Sequence, residues 1–339
     1  MVKIDYQKLI LNYLFKNRSA TRTEMADQLK IRKNTVGIIC NSLIKAGKIL
    51  ELKPYKRRNT KLAVNSRVFI SVGIEHRVDV LKMILLDANL KRMHARSVPL
   101  EGIAGEERVK GIIEYIREML QEHKTSAENI IGLGFSDFIP HDIGTGLKTK
   151  SIWMPGWGDI NIKGMIEKEL GLETTIMRCT DAFSLAEHAF GASRGVSTFI
   201  AVQLDRGIGL SVFKNGTYLK GSTDIFGEMG HTVYREDGEI CKCGNRGCLE
   251  TFAGTEAIIN KIKENKERGV FFITENDQNS ITLGTIIDNA WEGNKLALLV
   301  IHEATKAIGD TIANVVNVLG ITRIVLYGEL SKARELLTG

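Results

Sequence analysis

Between Gly227 and Glu250 the chain sets out one imidazole, three thiols and two carboxylates: Gly-Glu-Met-Gly-His-Thr, a polar link, then Cys-Lys-Cys-Gly-Asn-Arg-Gly-Cys-Leu-Glu. Three of the five cysteines lie here, Cys241, Cys243 and Cys248, and His231 precedes the first by ten residues. Three thiolates and one imidazole complete the tetrahedral shell of a structural zinc site. Gly244 and Gly247 let the backbone turn sharply enough for neighbouring sulfurs to face one centre. Glu228 and Glu250 are surplus to such a shell. The segment therefore reads as a metal clip that also positions polar groups for a second purpose. Cys40 and Cys179 stand alone and read as packed, inert side chains.

The rest of the chain must fold so as to place this clip. Its 339 residues are enough for two or three domains. No apolar run approaches the roughly 18–20 residues that cross a bilayer, and the first residues, Met1-Val-Lys-Ile-Asp-Tyr, lack a signal-peptide core. Few, clustered cysteines fit a reducing compartment and metal binding better than a disulfide framework, so a cytoplasmic location is expected. The net charge of +6 is unevenly spread. Residues 1–65 hold 15 Lys/Arg and 4 Asp/Glu, whereas the remainder holds 31 and 36. A basic head on a mildly acidic body suggests that the head meets a polyanion, against the plainer reading of a solvated basic surface.

The head carries a pattern as well as charge. Leu9, Ile10, Tyr13 and Leu14 recur at helical spacing within residues 6–16. Thr21 or Thr23 can cap a short helix over residues 24–29. A turn through Lys30-Ile31-Arg32 leads to a third helix over 33–46, apolar at Val36, Ile39, Leu43 and Ile44 and ended by Gly47. Residues 49–64 read as a two-stranded wing with a basic tip. The sum is a winged helix-turn-helix over residues 1–66. Such a unit lays the second helix of its motif in the major groove of double-stranded DNA. Arg32, Lys33, Asn34, Thr35 and Asn41 are the candidates to meet phosphates and base edges. Lys56, Arg57, Arg58 and Lys61 would approach a minor groove from the wing. A small protein-interaction domain is the alternative.

From Phe69 the texture changes. Residues 69–74, 80–86 and 91–98 read as three strands in quick succession, 106–122 as an amphipathic helix, and 130–135 as a buried strand. A strand over 174–177 precedes a helix over 182–190. Strands over 198–204 and 208–213 follow, with Asn215-Gly216 turning the chain into Thr217-Tyr-Leu. Helices return from Thr255, a long one covers 297–319, and 323–326 is a late strand. The alternation implies two α/β lobes with a cleft between them.

The segment 227–250 resembles the signature of the ROK family (repressors, open reading frames and sugar kinases). Its glycine, glutamate, histidine and all three cysteines stand at the family's spacing. The winged head followed by this body is similar to the family's transcriptional-repressor branch, which includes the xylose repressors, and the similarity covers nearly the whole chain. It implies an α/β fold in which the winged helix-turn-helix precedes an actin-like, ribonuclease-H-like ROK domain of two lobes over residues 67–339. It also implies more helix and strand after Tyr327-Gly-Glu-Leu-Ser than the chain supplies before Gly339, so either the sequence is truncated or the member is shorter.

By the same resemblance a sugar is held in the cleft by Thr180, Asp181, Glu228, His231 and Glu250, and structural zinc by His231, Cys241, Cys243 and Cys248. Paired carboxylate acceptors suit neighbouring hydroxyls. A metal-bound imidazole has its ring fixed, so the metal shapes the pocket rather than attacking anything. Thr180 stands where the family has Asn, and Arg178-Cys179 precedes it. Family kinases also cradle phosphate with an Asp-x-Gly-Gly-Thr turn and a Gly-Thr-Gly-Ile-Gly turn. Here these read Glu75-His76-Arg77-Val78-Asp79 and Asp205-Arg206-Gly207-Ile208-Gly209. Asp181, the general base of the kinases, is then a relic with nothing to transfer. The expectation is a sugar-responsive repressor of carbohydrate-metabolism genes, without enzymatic activity, acting as a homodimer on a two-fold operator. The alternatives are an ATP-dependent, glucokinase-like sugar kinase with a DNA-binding head, and a repressor controlled by a protein partner.

Overall fold

A capping box opens the second helix of the head and sets the geometry that follows. In the computed structural model, which describes residues 5–52, 60–100, 102, 105–125, 129–138, 160–223, 225–270, 272 and 281–333, α1 (Tyr6–Asn17) starts at Asp5, whose carboxylate accepts from the Gln7 and Lys8 amides. After β1 (Ala20–Thr21), the Thr21 hydroxyl and the Glu24 carboxylate cap each other's backbone at the start of α2 (Arg22–Leu29). Lys30, at φ 54°, turns the chain into α3 (Lys33–Lys45). Gly47, at φ 68°, leads out of α3 toward β2 (Ile49–Glu51) and β3 (Lys61–Val64). The sheet has three strands rather than two, in the order β1-β3-β2, because Ala20 pairs with Leu62 on the side away from β2. Ile10, Leu14, Met25, Val36, Cys40, Leu43, Ile49 and Leu62 close one core, with Cys40 as a packed side chain. Lys56, Arg57 and Arg58 lie outside the described residues.

The chain divides into two compact units, with a boundary between Met177 and Arg178. The first contains the head and a five-stranded sheet. Its strands are β4 (Ile70–His76), β5 (Val80–Asp87), β6 (Arg92–Pro99), β7 (Ile130–Asp137) and β8 (Thr174–Arg178), in the order β6-β5-β4-β7-β8. The β4-β5-β6 meander is antiparallel and β7 runs parallel to β4. Helix α4 (Gly105–Glu122) buries Val109, Ile112, Ile113, Ile116 and Met119 along one stripe. Helix α5 (Ile162–Leu170) escapes the sequence pattern because Gly164 interrupts it, although Asn161 caps its start and Gly171 its end.

The second unit is built on a four-stranded sheet, β9 (Thr198–Leu204), β10 (Ile208–Lys214), β11 (Thr217–Tyr218) and β12 (Ile324–Tyr327), ordered β11-β10-β9-β12 with β12 parallel to β9. Helices α6 (Cys179–Phe190), α7 (Glu250–Ala253), α8 (Thr255–Glu267), α9 (Leu283–Trp291) and α10 (Lys295–Leu319) complete it. Ile200, Val202, Leu249, Ile258, Ile286, Ala297 and Ile301 are among its buried core residues. Among the described residues no helix is long and apolar enough to cross a membrane.

One buried polar network fixes the β4–β5 turn. The fully buried His76 ring donates from Nδ1 to Asp137 Oδ1 at 3.0 Å and accepts at Nε2 from Arg108 Nε at 2.9 Å. The same guanidinium donates to the carbonyls of Arg77, Val78 and Leu100 at 2.6–2.8 Å. Arg108→Met removes the buried positive charge beside the His76–Asp137 pair and the donor to three carbonyls. It should destabilise the protein by about 3–5 kcal/mol in urea denaturation, a loss that Arg108→Lys recovers only in part. Gly37 in α3 meets nothing within 4 Å of an added Cβ. Gly37→Ala should therefore stabilise by about 0.5–1 kcal/mol in the same measurement.

Candidate metal and ligand site

The metal clip is assembled from three local devices. Met229–His231 forms a single 3-10 turn that presents the His231 ring. Gly244, at φ 90°, closes the turn after Cys243, with its amide donating to the Cys241 carbonyl at 2.9 Å and the Asn245 carbonyl accepting from Cys241 at 2.7 Å. A short bridge between Val233 and Cys248 returns the third sulfur beside the first elements. The four residues that the sequence groups also stand together in space: one atom from each of His231, Cys241, Cys243 and Cys248 lies within 4.8 Å of the others.

The spacings fit a tetrahedral ion. Bond lengths of about 2.3 Å to sulfur and 2.0–2.1 Å to nitrogen separate two thiolates by about 3.8 Å and a thiolate from an imidazole nitrogen by about 3.6 Å. The Cys243 and Cys248 sulfurs are 3.7 Å apart, and Cys241 Sγ is 3.5 Å from His231 Nδ1. Burial pushes the Cys248 thiol up to about 12 and raises that of Cys241. Burial acts upward on Cys243 too, but hydrogen bonds from the Asn245 backbone and the two neighbouring sulfurs outweigh it and lower that thiol. Without a cation, Cys241 and Cys248 hold their protons at neutral pH, so metal uptake must release them.

The carboxylates gather along β10. Glu250 follows Cys248 by two residues and opens α7, so the clip's last ligand also sets its position. Its Oε2 accepts from the Ile208 amide at 3.3 Å, and an added Cβ at Gly207 or Gly230 would lie 3.3 or 3.2 Å from the same oxygen. Those two positions must be nearly bare for the carboxylate to fit. Burial raises the Glu250 carboxyl to about 7 despite the amide bond. Glu228 follows Gly227, whose carbonyl accepts from Leu210 at 2.7 Å and whose φ is 88°. Thr180 packs its methyl toward Gly209, and the Ser211 hydroxyl donates to Asp181 Oδ1 at 2.7 Å. Thus all five sequence-named sugar candidates are tied to β10 or to the segment bonded to it.

Asp181 is not an idle acceptor. Both of its oxygens receive the Arg178 guanidinium, Nε at 2.9 Å and Nη2 at 3.0 Å, and Arg178 also donates to the Phe226 carbonyl. Asp181 is 5% exposed. The sequence marks Arg178 only as a departure from a family pattern; the bidentate pair and the Ser211 bond require the fold. Of the two turns compared with phosphate cradles, that after β4 turns its Arg77 and Val78 carbonyls to Arg108. In the other, between β9 and β10, the Ile208 amide is given to Glu250.

On α3 and its approach, Arg32, Lys33, Asn34 and Asn41 are exposed and Thr35 is half-buried. Asn34, Ile38 and Asn41 share one helical face, and Ile38 is 71% exposed there, a residue that helical periodicity alone does not single out. Asn41 Oδ1 already accepts from Arg22, which also pairs with Glu51 at 3.0 Å. Lys61 is exposed on β3.

A family profile described as "ROK family" matches residues 71–339. The chain is 26% identical to the xylose repressor of Caldicellulosiruptor bescii, over 97% of this chain and 86% of that protein. It is 26% identical to the DNA-binding transcriptional dual regulator NagC of Escherichia coli K12, over 94% and 78%. Among solved structures, a ROK family transcriptional regulator, homolog of the E. coli MLC protein, superposes with TM-score 0.77 at 22% identity, covering 94% of this chain and 81% of that one. A ROK family glucokinase from Streptomyces griseus in complex with glucose and AMPPNP superposes with TM-score 0.65 at 19% identity, covering 80% and 90%.

Replacing Cys248 tests the clip. The unaltered protein should carry about one zinc per chain by mass spectrometry, and Cys248→Ser none, with a lower thermal midpoint. Adding zinc to metal-free protein at pH 7 should release protons, from Cys241 and Cys248 at least, by calorimetry in buffers of different ionisation enthalpy. Full metal retention in Cys248→Ser would remove the cysteine from the shell.

Proposed function

The chain belongs to the ROK family, and on that premise we propose that it is a sugar-responsive transcriptional repressor. Its head is a winged helix-turn-helix that binds operator DNA, and its body holds a sugar effector beside a structural zinc. The observation that carries the choice of repressor over kinase is the Arg178–Asp181 pair. A general base must be open to the hydroxyl whose proton it takes. Asp181 is instead held in both oxygens by a guanidinium and in one by Ser211. The names of the relatives, a xylose repressor and a transcriptional regulator, support the same reading.

The turns agree with it. Phosphate cradles offer backbone amides. The β4–β5 turn instead directs two carbonyls toward Arg108, and Glu250 takes the Ile208 amide.

For the effector, Glu228 and Glu250 supply acceptors for sugar hydroxyls, Thr180 supplies a hydroxyl where the family has an amide, and Asp181, already bonded by Arg178 and Ser211, holds Arg178 in place. With Nδ1 of His231 on the metal, Nε2 is the nitrogen left to face a hydroxyl. Zinc bound by these residues supplies charge compensation for the thiolates and rigidity for the segment. Arg178 adds a donor beside Asp181. A sugar that prefers one of two conformations of the chain shifts the population that fits the operator.

For the head, α3 enters the major groove. Arg32 and Lys33 meet phosphates, Asn34 meets a base edge, and Ile38 contacts a thymine methyl. Asn41 acts chiefly by orienting Arg22. Lys61, with Lys56, Arg57 and Arg58, contributes positive charge from the wing. A homodimer matches a two-fold operator.

Operator binding measured at several salt concentrations, with and without a panel of aldoses and N-acetylhexosamines, tests this. One sugar should weaken binding, and Lys33→Ala should lower the salt slope by about 0.9 without changing sequence preference. No ADP release should accompany any sugar. Absence of DNA binding at low salt overturns the repressor, and sugar-dependent ADP release that depends on Asp181 restores the kinase.

A further inference from the structure

A second cluster of metal-ligand types lies in the first unit, among residues that the repressor reading does not use. His94 sits on the edge strand β6, and Glu122 and His123 stand at the end of α4. The His94 and His123 rings have centroids 4.3 Å apart with planes inclined at 48°. One ligand atom from each of His94, Glu122 and His123 lies within 4.8 Å of the others.

The ring nitrogens make the cluster more than a contact. His94 Nε2 and His123 Nδ1 are both shut off from solvent and have no hydrogen-bond partner among the described residues. They are two of only five such side-chain atoms described, and they occur side by side. A buried polar atom without a partner costs roughly 1–3 kcal/mol. Two neutral imidazoles cannot satisfy each other when both offer lone pairs, whereas one cation between them satisfies both. Glu122 supplies the negative charge such a cation needs. Its neighbour Arg96 is engaged foremost with Glu118 at 3.0 Å and reaches Glu122 only at 3.6 Å.

We propose that His94, Glu122 and His123 form a second divalent-metal site, separate from the cysteine clip. Two imidazoles and one carboxylate suit late first-row cations such as Zn2+, Ni2+ or Co2+ and leave coordination positions for water or a further ligand. Nitrogen and oxygen ligands about 2.0–2.1 Å from a tetrahedral ion stand about 3.3 Å apart, inside the 4.8 Å within which these ligand atoms lie. Glu122, exposed in the last turn of α4, has the rotamer freedom to complete the shell. The ion ties the edge of the sheet to the end of α4 and stabilises the first unit by linkage.

The full chain, incubated with Zn2+ and desalted, should retain about two ions by mass spectrometry, and His94→Ala and His123→Ala about one. Thiol titration should find the cysteines equally protected in all three. Co2+ added to protein already holding one zinc should give a visible d–d band without thiolate charge transfer, lost in both histidine variants. Glu122→Gln, at an exposed position, guards against a variant that fails to fold and should also reduce retention to about one ion. A single retained ion in the unaltered protein, or two ions in both histidine variants, overturns the site.

Discussion

The gathering of three sulfurs and one imidazole within 4.8 Å is the constraint on which the segment before α7 depends. Among the described residues, the chain between β11 and α7 has little regular structure: one 3-10 turn and two isolated bridges. Such a stretch cannot hold carboxylates in place by packing alone, because its backbone groups must find partners one at a time. On the proposed reading, a metal held by His231 near Glu228 and by Cys248 near Glu250 closes it at both ends. Cys248 and Leu249 are fully buried, so the clip and the hydrophobic core meet in consecutive residues.

Two buried ion networks then bear on what the molecule can do. Asp137, His76 and Arg108 occupy the surroundings of the β4–β5 turn, and Arg178 with Asp181 occupies the start of α6. Each neutralises a carboxylate inside the protein, where an unpaired charge would be costly. In one the guanidinium stands against turn carbonyls, and in the other it meets both oxygens of Asp181.

Much of the fold is legible along the chain. The strand over 198–204 and the ends of α4 and α10 follow directly from periodicity, Asn-Gly turns and glycine stops. Helix α5 is not legible in the same way, since the glycine in its first turn hides a short amphipathic stretch that capping and packing sustain. The short strand β1 is invisible too: two residues acquire strand character only through pairing with β3. Among site residues, the four metal ligands stand out because soft ligands are rare and their spacing is tight. His94 and His123, 29 positions apart, carry no such mark in the sequence.

Residue chemistry and local spacing were therefore decided by the sequence itself: a basic head with helical period, and three cysteines and a histidine at close spacing. These are short-range properties, set by side-chain type and by backbone preferences within a few residues. The tertiary structure decided which polar groups meet. Arg178 grips Asp181, Arg108 bonds both His76 and the turn carbonyls, Glu250 lies against the Ile208 amide, and His94 faces His123. Those pairings join residues on different elements, and only burial, by removing water as the competing partner, makes each of them decisive.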